Sequence, residues 1–350
     1  MTAGRRGVGF TPMETRRDVI VRAAVLADEL GYEFVALPEG WGLDPAPVLT
    51  EIALRTARIQ LVSGIMSAWG RTPATVAMTA ATLHQISGGR YILGLGASTR
   101  ALVEGFHDTA FEHPAAKLRD VVGQVRALLA GQPAELSQVP AAHPLRLGQA
   151  PAPELPIWVA ALGPRTIRVA AELGDGWIPA LMARDRLPGR VAELHQHRAA
   201  AVPDAGPLTI VAGPFAVVDD NAEVAREIAA TCTAWYLSAM GEVYARSLSG
   251  QGYAAEVEAI RAANPRPSPR HGTIPPDARA VLDQLAAYGT HDQVRDQLEG
   301  WDDATDVASI LLPPGIGWPT IEATLRATAP RAQPAAGQLV AAGGSGPRDR

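Results

Sequence analysis

At 350 residues the chain is too long for a small domain and falls in the range of one α/β barrel of roughly 250 residues plus insertions. A net charge of -5 lacks the basic excess of a nucleic-acid binder, and 47% hydrophobic residues can bury a sizeable core. Cys232 is the only cysteine, which excludes a disulfide within the chain and a zinc site built on cysteine pairs.

The basic start is not followed by an apolar signal core, and the apolar runs are short and broken by charges or glycine. No membrane span and a cytoplasmic setting are therefore expected. Lys117 is the sole lysine and falls where a helix should begin, a poor Schiff-base candidate.

In chain order, short β-type runs alternate with segments of helical period. Residues 7–10 read as a first strand. Residues 15–30 follow with Val19, Ala23, Leu26 and Leu30 at helical spacing, and Gly31 stops the helix. Strands are predicted over 34–37, 59–65 and 91–95, with helices over 47–56, 72–86 and 115–129. The second half repeats the pattern: strands over 157–160, 177–180, 208–217 and 307–312, and helices over 164–173, 222–240 and 319–327. Eight strand–helix units predict a parallel (β/α)8 TIM barrel with insertions after strands four and seven. The competing arrangement is an open doubly wound sheet.

Residues 99–114, 131–155 and 250–278 read as long loops, which in a compact domain are functional or disordered. Residues 1–330 form one expected domain. Residues 331–350 lack periodicity and are expected to be a disordered tail.

In such a barrel the active site lies at the C-terminal ends of the strands. The chain order then brings together Thr11 and Pro12, then Pro38–Trp41, then Ser63, Gly64, Ile65, Ser67 and Trp69. Gly96–Thr99 and Ala161–Arg165 complete the ring. Tryptophans, prolines and glycines at these mouths suit a flat aromatic ligand approached closely by backbone. In Ala161-Leu162-Gly163-Pro164-Arg165-Thr166, glycine permits a tight turn and proline suits the first helical position. The free N–H groups of Arg165 and Thr166 then form an anion site, unless this is an ordinary strand-to-helix turn. Gly94-Leu95-Gly96 lacks the third glycine of a dinucleotide fingerprint. His195 and His197, two apart, face different sides of a helix and read as solvated; no metal site is expected.

The run Ser87-Gly88-Gly89-Arg90-Tyr91-Ile92-Leu93-Gly94-Leu95-Gly96-Ala97-Ser98 closely resembles the SGGRxxLGLG motif of luciferase-like flavin/F420-dependent oxidoreductases. Ala27–Tyr32, Arg71–Ala74, Val103–His107, Leu162–Pro164 and Gly174–Trp177 resemble further family segments in the right order, spanning most of residues 7–180. The resemblance implies an enzyme using coenzyme F420, or FMN as the alternative, held at the barrel mouth. It places a non-proline cis peptide at Gly64–Ile65, the phosphate turn at Gly163, Pro164, Arg165 and Thr166 beside Ala161, and Ser63, Ser98 and Glu39 near the ring. It also implies a homodimer. Gly40 and Thr99 stand where the family's sugar-phosphate dehydrogenases keep a histidine and a glutamate, which argues against that activity.

A hydride transfer usually needs an acid or base for the accompanying proton, and Glu39 and His107 are the candidates. Glu39 is either catalytic or a structural acceptor for loop amides. His107 is either catalytic or solvated. Trp41, Trp69 and Phe106 line an apolar substrate pocket or pack the barrel top. Arg71 reads as a structural charge, with Asp44 as its partner. Three functions follow: an F420-dependent oxidoreductase acting on a small organic substrate, such as a secondary-metabolite intermediate; a two-component FMN monooxygenase fed by a separate flavin reductase; or a barrel that has lost hydride chemistry and serves as a binding protein or cofactor-free catalyst. No nucleic-acid or membrane partner is expected.

Overall fold

The computed structural model describes residues 4–330. Its strands are β1 (Arg6–Phe10), β2 (Phe34–Leu37), β3 (Gln60–Ser63) with its short continuation β4 (Met66–Ser67), β5 (Tyr91–Gly96), β6 (Ile157–Ala160), β7 (Gly176–Ile178), β8 (Thr209–Ala212) with its continuation β9 (Phe215–Val218), β10 (Ala286–Gly289) and β11 (Val307–Leu312). All pair in parallel, in the order β1-β2-β3-β5-β6-β7-β8-β11. The circle closes where Val8 of β1 meets Ile310 of β11. This is the eight-stranded barrel expected from the alternation. β10 pairs only with β9, outside that circle.

The surrounding helices are α1 (Arg17–Glu29), α2 (Pro45–Arg55), α3 (Pro73–Ile86), α4 (Arg100–Gly105), α5 (Pro114–Leu129), α6 (Pro164–Leu173), α7 (Leu187–Ala201), α8 (Ala222–Ala239), α9 (Glu242–Leu248), α10 (Ala254–Ala263), α11 (Arg279–Leu285), α12 (His291–Asp302) and α13 (Trp318–Thr328). Their starts carry recognisable signals. Asp44 and Thr72 cap α2 and α3 through their side chains, and proline follows each cap. α1 ends where Gly31 takes a φ of 82°, a left-handed turn that glycine adopts without a Cβ penalty. Asp28, near that end, accepts hydrogen bonds from the N–H groups of Ala57, Arg58 and Ile59 and so fixes the approach to β3.

Some sequence expectations need correction. The loop expected over 99–114 contains α4, capped by Thr99, and the loop expected over 250–278 contains α10. The third strand ends at Ser63, because the chain kinks at 64–65 before resuming as β4. The seventh divides at Gly213-Pro214 into β8 and β9, and the sixth runs over 176–178 rather than 177–180. The tail expected to be disordered lies outside the described residues. Among the described residues no helix is long and apolar enough to cross a membrane.

Most of the core lies between the barrel wall and the helices. A second cluster, inside the barrel, consists of Phe34, Val62, Ile92, Trp158, Val211 and Val307, one from each of six strands. Phe34 and Trp158 meet edge to face with centroids 5.3 Å apart. Because side chains alternate along a strand, the next inward positions toward the C-terminal end are Ala36, Gly64, Gly94, Gly96 and Ala160. The barrel is thus plugged by bulky residues below and lined by the smallest ones above.

Candidate active site

The small residues at the mouth are closely packed by their neighbours. A Cβ on Gly9 would meet Leu311 Cδ2 at 2.8 Å, and one on Gly64 would meet Ala36 Cβ at 2.9 Å. On Gly96 it would meet Ile65 Cδ1 at 2.8 Å. On Gly94 it would collide with the Ser63 carbonyl oxygen. The Gly64–Ile65 peptide is cis, as the family resemblance implies. The Gly64 N–H donates to the Leu37 carbonyl at 2.7 Å, and the Glu39 N–H donates to the Ile65 carbonyl at 3.0 Å. Ser63 is fully buried beneath this turn. Its hydroxyl accepts from Gly94 N–H at 2.9 Å and from Tyr91 O–H at 3.0 Å, and donates to the Gly94 carbonyl at 3.1 Å. Ser63 therefore holds β3 to β5 and presents no free polar atom to the mouth. Ser98, just beyond β5, has a φ of 60°, a left-handed conformation uncommon for a non-glycine residue.

Glu39 lies at the mouth of β2 with both carboxylate oxygens engaged. Oε2 accepts the Ser67 N–H at 2.7 Å, and Oε1 accepts the Arg71 Nε–H at 2.8 Å. The other end of the Arg71 guanidinium pairs with Asp44 at 2.8 Å. The Arg71–Asp44 pair expected from the sequence is present, and Glu39 is its third member. Burial alone would lower the Arg71 pKa, but hydrogen bonds to Asp44 and Glu39 outweigh it and raise it above its ordinary value. The cluster ties the β2, β4 and α2 loops together at the mouth.

His107 follows α4 and is half-buried. Its ring packs edge-on against Phe106 with centroids 5.2 Å apart. A Cβ on Gly70 would lie 3.5 Å from His107 Nε2 and 3.8 Å from Glu39 Oε2. The two candidate proton carriers thus converge on one glycine from different loops. Of the two, only His107 has a side chain without a hydrogen bond among the described residues, so its imidazole is available to a ligand while Glu39 is held by two donors.

The turn after β6 is built as the sequence suggests. Gly163 precedes α6 without a side-chain cap, Pro164 opens the helix, and Arg165 is exposed. The first N–H groups of α6 have no side-chain acceptor, as is also true of α1, α5, α7 and α13, but at α6 they lie at a strand mouth. The Thr166 hydroxyl donates to the Gly163 carbonyl at 2.9 Å, and the Ala161 carbonyl accepts from Trp177 Nε1–H at 2.9 Å.

The aromatic residues form two groups beside Glu39. Trp69 donates its indole N–H to the Ala97 carbonyl at 3.1 Å and packs on Phe111 with centroids 5.6 Å apart. Lys117 Nζ lies 5.8 Å from the Trp69 ring. Trp41, 42% exposed, packs against Trp235 of α8 with centroids 6.1 Å apart. Trp235 and Tyr236 belong to no strand mouth, so the barrel rule did not single them out. Their adjacency in an alanine-rich helix was the one available signal. Tyr236 is buried, and that burial pushes its hydroxyl well above its ordinary pKa.

Comparison with known proteins places the chain in context. A family model described as luciferase-like monooxygenase matches residues 1–306. A Mycobacterium tuberculosis protein assigned to the coenzyme F420-dependent oxidoreductases is 30% identical over 328 residues, covering 85% of this chain and 90% of that protein. The phthiodiolone/phenolphthiodiolone dimycocerosates ketoreductase of Mycobacterium bovis is 27% identical over 333 residues, covering 90% of this chain and 86% of that protein. The solved coenzyme F420-dependent tetrahydromethanopterin reductase of Methanopyrus kandleri has a TM-score of 0.71 at 20% identity, covering 94% of this chain and 98% of that one. At that identity the superposition speaks for the fold.

Proposed function

The chain belongs to the luciferase-like monooxygenase family, and from that premise we propose that it is a coenzyme F420-dependent oxidoreductase transferring a hydride between the deazaflavin and a small organic substrate. The observation that carries this reading is the stripped upper half of the barrel. Above the Phe34–Trp158 plug, the inward positions Gly9, Ala36, Gly64, Gly94, Gly96 and Ala160 carry no side chain larger than a methyl group, and the close packing around the glycines admits none. A planar ring system fits such a cradle because little side chain projects from these positions into the mouth.

In this reading Gly64 and Ile65 back the ring, with Ser98 and Ala161 at its margin, and Ser63 holds the backing in place from below. Gly163, Pro164, Arg165 and Thr166 hold the phosphate through the uncapped N–H groups of α6 and the Arg165 charge. When bound, the deazaflavin would donate or accept the hydride. His107 holds the proton that reaches or leaves the substrate, within hydrogen-bond reach of an atom above Gly70. Glu39 orients the Arg71 loop through the hydrogen bonds it accepts from Ser67 and Arg71. Trp41, Trp69 and Phe106 line the substrate side. The missing histidine and glutamate at Gly40 and Thr99 count against sugar-phosphate substrates. Carbonyl, C=C and C=N groups are the fitting acceptors.

We further propose a homodimer. α3 carries no aspartate, glutamate, lysine or arginine, and its outer face exposes Ala74, Thr75, Met78, Thr82 and Ile86. An uncharged, exposed helical face is what a self-association surface requires.

Equilibrium titration of the purified protein with F420 and with FMN tests the cofactor assignment. Saturable binding of F420, at least tenfold tighter than FMN, is expected. Preferential FMN binding would support the two-component monooxygenase with its separate reductase, which the family's description favours. Binding of neither by a folded protein would leave a scaffold without hydride chemistry.

A further inference from the structure

We propose that a cavity between α8, α11, α12 and β10, outside the closed circle of strands, binds a small oxyanion-bearing compound whose phosphate or carboxylate head is held by Arg279 and Arg184. The proposal does not depend on the oxidoreductase reading.

The site follows from the position of β10. That strand pairs only with β9, so its other edge has no strand beside it. Gln297 of α12 closes the edge: its side-chain amide accepts the Tyr288 N–H at 3.1 Å and donates to the Tyr288 carbonyl at 2.9 Å. The Tyr288 hydroxyl donates to Asp283 of α11 at 2.6 Å. Between these elements and the start of α8 lies a cavity of about 360 Å³, lined by Tyr288, Gln297, Asp283, Arg279, Arg184 and Arg226 among others. That volume falls within the roughly 300–1,000 Å³ of small-molecule sites. The cavity is distinct from the barrel mouth. Trp235, which meets Trp41 there, stands about 13 Å further along α8 than Arg226, and no residue of the Gly163–Thr166 turn lines the cavity.

Donors outnumber the acceptors available to them. Asp283 accepts from Tyr288, and Arg279, one turn earlier on α11, makes no ion pair among the described residues. Glu223 is held by Arg226, whose Nε–H lies 2.9 and 3.0 Å from its two oxygens, and feels Arg279 only as a more distant charge. Arg184, from the turn before α7, donates to the Gln297 carbonyl at 3.3 Å and also makes no ion pair among the described residues. Gln293 engages its oxygen with the Thr290 N–H at 2.9 Å, which leaves its NH2 group to donate. Among the lining groups three guanidiniums face two carboxylates, a net charge of +1, and only Arg226 is paired. Glu227 acts on Arg226 from outside the lining. A guanidinium presents paired N–H groups that match the oxygens of a phosphate or carboxylate. A cation would meet Arg279 and Arg184, and an uncharged compound would leave both without a counter-charge.

Isothermal titration of the full chain with pyrophosphate and with malonate tests the proposal. At least one should bind saturably, and the tighter of the two identifies the head group as phosphate or carboxylate. Arg279→Gln removes a charged donor and should weaken binding about tenfold. Glu223→Gln removes a carboxylate from the anion's surroundings and should tighten binding about threefold. Arg279 and Glu223 are both exposed, so each variant should melt within about 2 °C of the wild type. Should Arg279→Gln not fold, Arg184→Gln carries the same expectation. Arg165→Gln, at the turn before α6, should leave this binding step unchanged. No saturable binding of either anion, an affinity indifferent to Arg279→Gln, weaker binding by Glu223→Gln, or a single step lost only in Arg165→Gln would overturn the proposal.

Discussion

Adding one methyl group at Gly94 and at Gly96, two adjacent inward positions of β5, should give opposite outcomes. On Gly94 the new Cβ collides with the Ser63 carbonyl oxygen, with Ser63 C at 3.1 Å and Ile65 Cγ2 at 3.3 Å behind it. Relief requires Ser63 to withdraw. That breaks a buried web in which its hydroxyl binds Gly94 N–H, Gly94 C=O and Tyr91 O–H at 2.9–3.1 Å. Each buried group left unpaired costs about 1–3 kcal/mol, and overpacking adds a similar amount. The gain of about 0.5–1 kcal/mol from replacing a strand glycine offsets only part of this. A net loss of about 3 kcal/mol, spread over an unfolding entropy of about 2.1 cal/mol/K per residue for 350 residues, is a fall of roughly 4 °C in Tm. On Gly96 the clash is with Ile65 Cδ1 and Cγ1 at 2.8 and 3.0 Å, the movable end of a side chain. Ile65 can rotate upward, so Tm should stay within about 1–2 °C. The displaced side chain then occupies the cradle, and cofactor affinity should fall at least tenfold. Differential scanning fluorimetry and cofactor titration on both variants read the contrast. A Gly94→Ala protein that melts with the wild type, or a Gly96→Ala protein with full cofactor affinity, would refute the cradle.

Two further outcomes are expected. Glu14 is buried where β1 meets the β11 loop. Burial would raise its pKa, but hydrogen bonds from the Arg16 side chain, the Arg16 N–H and the Gly315 N–H hold it below its ordinary 4.5. A lowered folded-state value stabilises the protein above the unfolded pKa and ceases to do so as the pH falls through the folded one. Wild-type Tm should thus fall more steeply than that of Glu14→Gln below about pH 5, with the variant about 1 kcal/mol less stable at pH 7; parallel Tm–pH profiles would contradict this. Met78→Glu places a charge on the uncharged outer face of α3, and sedimentation velocity should show monomer in place of dimer without loss of Tm. An unchanged dimer would move the interface elsewhere.

Much of the site was legible in the chain. Asp28, Arg71 and the Gly64–Ile65 peptide fall where the ordered motifs indicated, because each is tied to a strand end and strand ends are marked by glycine, proline and a change of period. Arg71 and Asp44 were readable as a pair from their charges. The role of Glu39 was not, since a carboxylate at a strand mouth looks the same whether it is free or bound. Its two donors, Ser67 and Arg71, come from another loop. The loops expected at 99–114 and 250–278 hide α4 and α10, whose few turns are supported by packing rather than by a strong periodic signal of their own.

The barrel, its order of units and the floor of its mouth are written locally in the chain. Alternation of period and the placement of small inward residues are local properties, and β-strand geometry converts them directly into a plugged base and an open top. Which groups confront a ligand is settled by packing between distant segments. His107 and Glu39 meet across Gly70, and Trp235 reaches Trp41 from a helix almost two hundred residues later. Those juxtapositions depend on how distant loops and helices pack over the barrel, a long-range outcome that no spacing along the chain encodes.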